Sequence, residues 1–132
     1  MGVAENKQLM QHIFAELSKG NTEPYLASLA DDIRWTIIGT TKFSGTFHGK
    51  QAVFTELLGP VLSQIADPLT VIAHRFIAEG DHVVVEFHGQ NTTKAGKAYN
   101  NTYCCVYHIA EGKVQEVTEY LDTELVTAAF GR

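Results

Sequence analysis

The sequence predicts an α+β domain in which helices come first and an antiparallel meander follows. Three observations carry this expectation. Apolar residues recur at helical spacing in the first half of the chain. Long β-rich runs fill the last third, separated by short Gly-containing turns, Ala95-Gly96 and Glu111-Gly112, which is the signature of hairpins. The chain has 132 residues, enough for one domain with a real core, spanning 1–132, and too few for two.

Glu5 to Lys19 carries Leu9, Ile13, Phe14 and Leu17 at helical spacing, and Gly20 suits its C-terminal cap. Asn21 or Thr22 can cap a second short helix running through Tyr25, Leu26 and Leu29. Asp31-Asp32 leads into a strand, Ile33 to Ile38, in which Ile33, Trp35 and Ile37 share a face. Gly39 to Gly49 reads as a loop. A third helix is expected from Lys50, with Val53, Phe54, Leu57 and Leu58, and Gly59-Pro60 should break it. Leu69 to Ala78 is the first long strand. Glu79-Gly80 turns it into a meander expected over residues 82–94, 97–109 and 113–123.

The hydrophobic fraction is 45%, the formal net charge is −5, and lysines and arginines are scattered. That composition argues against a nucleic-acid surface. No apolar run reaches membrane-spanning length, and the start, Met1-Gly-Val-Ala-Glu-Asn-Lys, lacks an apolar signal core. A cytoplasmic protein without a membrane partner is expected. Cys104 and Cys105 are neighbours and point to opposite faces of a strand, so they read as free thiols. The six histidines show no helical metal-binding spacing, and Gly39 to Gly49 matches no phosphate or dinucleotide loop. Neither a metal nor a cofactor is expected.

Counting outward from two-residue turns places Cys104 opposite Glu119, Phe87 opposite Cys104, and His74 opposite Val85. One face then gathers Ile72, His74, Phe76, Val83, Val85, Phe87, Cys104, Val106, Val117, Glu119 and Leu121, with Asn91 and Asn100. It is largely apolar and should face the helices. The other carries Glu86, His88, Asn101, Tyr103, Tyr107, Tyr120 and Asp122. Its tyrosines suggest a homodimer packed through the outer sheet face. A β-bulge would reverse the faces beyond it.

Four segments, Leu29-Ala-Asp-Asp-Ile-Arg-Trp35, Phe47-His-Gly-Lys-Gln-Ala-Val53, Ile77-Ala-Glu-Gly-Asp-His-Val-Val-Val85 and Gly112-Lys-Val-Gln-Glu-Val-Thr-Glu-Tyr-Leu-Asp122, resemble the SnoaL-like, ketosteroid-isomerase-related proteins of the nuclear-transport-factor-2-like superfamily. The resemblance implies a cone-shaped, cystatin-like fold, a curved antiparallel sheet wrapped around N-terminal helices, and a homodimer. Ketosteroid isomerases use an aspartate base on the first strand, and the matching position looks like Ile37. Their oxyanion-hole tyrosine and aspartic acid look like Ile13 and Cys104. These departures argue against that mechanism. The acid of limonene-epoxide-hydrolase-like members falls on Glu119 within Thr118-Glu-Tyr-Leu-Asp122. Their Arg-x-Asp partner falls near Glu86-Phe87-His88 and is not retained.

Glu119 is the leading catalytic candidate, because burial raises a carboxyl's pKa towards neutrality. The competing reading is a structural anchor. His74, on the same expected face, is its candidate acid–base partner or a core histidine. Trp35, Phe87, Asn100, Cys104 and Leu121 are expected to line the ligand site. The Trp35 indole N–H is a polar handle, and Asn100 can polarise an oxygen or serve a turn. Cys104 reads as packing, because an acid neighbour disfavours a thiolate. Asp122 is expected to bond Asn101. Glu86 and His88 form a pair only if a bulge turns them inward. The expected ligand is a small apolar molecule, handled by cofactor-free isomerisation, cyclisation or hydrolysis. A non-catalytic binding or dimerisation module of the same fold is the competing class.

Overall fold

The computed structural model describes residues 2–132; Met1, the first residue of the segment read for a signal, lies outside the described residues. Helices α1 (Val3–Leu17) and α2 (Glu23–Ser28) precede β1 (Leu29–Ile37) and β2 (Gly45–His48). Then come α3 (Lys50–Ala52), a π-helical segment (Val53–Leu58) and α4 (Gly59–Leu62). Next are β3 (Val71–Glu79), β4 (His82–Gly89) and a ribbon of β5 (Asn91–Thr92) and β6 (Ala98–Tyr99). The chain ends with β7 (Thr102–Ala110), β8 (Lys113–Leu121) and α5 (Thr123–Phe130). Among the described residues no helix is long and apolar enough to cross a membrane.

The main sheet runs β2-β1-β8-β7-β4-β3. β3, β4, β7 and β8 form the expected antiparallel meander, and β8 lies parallel to β1. The sheet curves over α1, whose Met10, Ile13, Phe14 and Leu17 are buried. This apolar stripe at i, i+3, i+4 and i+7 fixes the helix against β3 and β4. Gly20 ends it at φ +84°, and a Cβ there would sit 2.7 Å from Pro68 Cβ, so packing and backbone both call for glycine.

The meander departs from simple counting at four places. The turn between β3 and β4 is Gly80-Asp81, with Glu79 paired to His82, a shift of two residues that keeps the expected faces. The loop of the β5–β6 ribbon, closed where Thr93 N–H donates to Lys97 O, has three residues, 94–96, not two, and Gly96 takes φ +90°. Such a loop moves the register by one residue. Phe87 therefore faces Tyr103, and Val85 faces Cys105. A bulge between His108 and Ile109, where β7 meets β8, shifts the pairing again and sets Cys105 opposite Glu119. A bulge between Ala73 and Arg75 turns His74 outward. The expected tyrosine-rich outer face is thereby corrected. Tyr107 is fully buried and Tyr103 lines the interior, leaving Tyr120 outside.

Other expected boundaries also move. The two long strands expected over 82–94 and 97–109 are interrupted because asparagine side chains replace the ladder. Asn91 bonds both backbone groups of Thr70 at 2.9 and 3.0 Å. Asn101, fully buried, accepts from Thr102 and Asp122 N–H and donates to Asp122 O. Gly59-Pro60 does not break the third helical region. The Gly59 N–H reaches Phe54 O in π register, and Pro60 falls in the first turn of α4, where a missing N–H is tolerated. The expected loop Gly39 to Gly49 contains β2, paired with β1. α5 follows where no helix was expected.

Candidate active site

A cavity of about 160 Å³ lies between the concave sheet face and the helices. α1 supplies Phe14 and Leu17, and α2 supplies Tyr25 and Leu26. The π segment and α4 supply Leu57, Leu58, Val61 and Leu62, while α5 closes it with Val126 and Phe130. π turns recur at functional sites because they re-aim side chains; here the turn directs two leucines inward. The sheet contributes Trp35, Ile37, Val71, Phe87, Tyr103, Glu119 and Leu121.

Glu119 is the single carboxylate in this lining. It stands in the inward row of Val117, Glu119 and Leu121 on β8, as expected. Across the parallel pair its register partner is Ile37. The Trp35 indole N–H donates to Glu119 Oε1 at 3.0 Å. The other oxygen, Oε2, has no hydrogen-bond donor among the described residues. Glu119 lines the cavity, so Oε2 is the oxygen left for a ligand there. Burial pushes the Glu119 carboxyl up to about 7, against the opposing effect of the Trp35 bond. The ion pairs Lys19–Glu16, Arg34–Glu116 and Arg75–Glu86 lie elsewhere.

A second polar group stands nearby. The Tyr25 and Tyr107 hydroxyls are 2.8 Å apart, and either phenol can donate. When Tyr107 donates, the Tyr25 O–H is free for the cavity. Burial holds Tyr25, Tyr103 and Tyr107 well above the usual phenol range, so they remain neutral donors.

Trp35, Phe87, Glu119 and Leu121 line the cavity together. His74 does not join them. The bulge places it outside, its Nε2 2.6 Å from His88 Nδ1, with the two rings stacked. Cys104 is likewise outside because of the one-residue shift; the buried thiol opposite Glu119 is Cys105. Asn100 is exposed, and its Oδ1 accepts the Asn91 N–H in the ribbon. Glu86 and His88 face outward, Glu86 paired with Arg75 at 3.1 Å. Asp122 meets Asn101 through its backbone, while its carboxylate caps α5. Sequence reasoning missed Tyr25, Tyr99, Tyr103, Val126 and Phe130. Asp122 as an N-cap before Val126 and Phe130, spaced i, i+4, was the readable signal for α5.

Residues 10–117 match the family described as the SnoaL-like domain; Glu119 lies just beyond the matched segment. An NTF2-like protein from Burkholderia xenovorans is 26% identical over 98% of each chain, with a TM-score of 0.73. A protein from Jannaschia sp. proposed to be a SnoaL-like polyketide cyclase is 16% identical, over 97% of this chain and 92% of its own, with a TM-score of 0.75. An epoxide hydrolase of the LEH-like type from M. tuberculosis is 18% identical, over 96% and 90%, with a TM-score of 0.73. The last two likenesses are of fold. No curated protein matches.

Proposed function

We propose that this chain, which belongs to the SnoaL-like domain family, binds a small apolar molecule in its cavity and carries out cofactor-free acid–base chemistry through Glu119. The observation that carries the reading is Glu119 itself, a carboxyl raised to about 7 with one oxygen open to an apolar cavity. A general acid–base works best when its pKa lies near the operating pH. In the ionised form Oε2 takes a proton from the bound substrate; in the neutral form it returns one. Trp35 fixes the carboxyl plane by holding Oε1. The Tyr25 hydroxyl, backed by Tyr107, is the neutral donor for a substrate oxygen. Isomerisation, cyclisation and hydrolysis all use this pair of groups.

Native mass spectrometry of the purified chain against a library of small neutral molecules identifies retained ligands, which are then assayed for turnover. The expected result is a ligand converted by the parent and bound but not converted by Glu119→Gln. Equal turnover by both proteins overturns the reading.

A further inference from the structure

The Glu119 carboxyl has no counter-charge among the described residues, and aromatic side chains line the cavity with it. Trp35 bonds it, and Tyr25, Tyr99 and Tyr103 lie close enough for its charge to act on their phenols. Phe14 and Phe87 continue the aromatic wall. Oε2 is open to the cavity, and no lysine, arginine or histidine among the described residues acts on the group. We propose that the cavity also binds small apolar amines as their ammonium ions, with Glu119 Oε2 as counter-ion and the aromatic wall as the surface around the charge.

An ionised carboxylate in an apolar cavity is unfavourable until a cation joins it. An ammonium supplies that charge together with three donors. Aromatic rings within about 6 Å of it add attraction to their faces. The formal net charge of −5 favours a cation's approach. A ligand anion meets no cationic side chain among the described lining residues. The size of the cavity, about 160 Å³, selects a molecule of about one ring, since a cavity of about 150 Å³ accommodates benzene.

The titratable groups facing Glu119 are Tyr25 from α2, Tyr99 from β6, and Tyr103, Cys105 and Tyr107 from β7. Burial pushes all five above their ordinary ranges, so they stay neutral around pH 7. Glu119 alone changes charge there. Amine affinity therefore rises as pH passes up through about 7. It falls again once the alkylammonium loses its proton, near pH 10.

Isothermal titration of the full chain with benzylamine and with benzyl alcohol, from about pH 5.5 to 8.5, tests this. At pH 8 benzylamine is expected to bind at least about tenfold tighter, and below pH 7 to lose about tenfold per pH unit. Benzyl alcohol binding should stay flat. Glu119→Gln should lose the amine preference, so that the ratio of benzylamine to benzyl alcohol affinity falls to about one and no longer changes with pH. Equal affinity of the two probes at pH 8, or an amine preference that survives in Glu119→Gln, overturns the proposal. Should the variant fold poorly, the parent's pH profile decides alone: a flat amine affinity overturns the proposal. Amine binding without turnover of any substrate supports it while counting against the acid–base reading.

Discussion

Trp35 on β1 and Glu119 on β8 meet diagonally across a parallel strand pair, with the indole N–H 3.0 Å from the carboxyl oxygen. The bond lowers the Glu119 pKa, yet burial outweighs it and leaves the group near 7. The net result is a carboxyl that is oriented but only half ionised at neutral pH.

That balance has a stability signature. The folded chain binds the Glu119 proton more tightly than the unfolded chain, whose carboxyl has the ordinary value of 4.5. Stability therefore falls as pH rises from about 4.5 through about 7, and the loss is complete above 7. It amounts to about 3 kcal/mol at most. Glu119→Gln keeps the shape and removes the titration. Urea melts should show the variant clearly more stable than the parent at pH 8, with the advantage gone at pH 5. A variant less stable at pH 8 would show Glu119 to be a charged structural anchor.

Trp35→Phe removes the indole donor and leaves a smaller ring. The Glu119 pKa should move further up, followed by NMR titration of its side-chain carbonyl carbon. Stability should drop by about 1–3 kcal/mol through the lost hydrogen bond and incomplete packing. An unchanged or lowered pKa would contradict the assigned role of the indole.

Gly59→Ala probes the π segment. A Cβ at Gly59 would stand 2.8 Å from Phe54 O, a backbone atom that cannot rotate away. The expected loss is about 1–3 kcal/mol in thermal or urea melts. The variant should also bind cavity ligands more weakly, because Leu57 and Leu58 depend on that turn. A neutral substitution would mean that the π turn relaxes freely.

Asp122→Ala removes the carboxylate that accepts from Glu124 and Leu125 N–H at the start of α5. Loss of an N-cap costs about 0.5–2 kcal/mol. Since Val126 and Phe130 close the cavity, hydrogen exchange in α5 should speed up and ligand affinity should fall. Unaltered exchange in α5 would show that the lysine contacts to Phe130 O and Ala128 O suffice to hold it.

The helices-then-strands order and the meander were legible because apolar periodicity and Gly turns are local signals. The inward position of Glu119 was also legible, but through two shifts that cancel. The three-residue loop ending at Gly96 moved β7 by one position, and the bulge at His108/Ile109 moved its pairing with β8 once more. Between those two points the expected faces were reversed, which is why Tyr103 and Cys105 took the places given to Cys104 and Val106. His74 failed for the same reason, at a single bulge in β3. Bulges depend on how two strands meet and leave no pattern in either alone. α5 was missed although its cap and apolar spacing are local.

The position of β8 also sets the order in which the molecule can be completed. Of the strands in the described residues it is the last in chain order, yet it fills the slot between β1 and β7. Before it arrives, β1–β2 and β3–β4–β7 are two separate pieces, each with a bare edge. Bare edges recruit other strands, including those of neighbouring nascent chains. The strand that brings Glu119 to Trp35 is thus also the one that covers the two inner edges, on β1 and β7, so the site and the continuous sheet arrive in the same step.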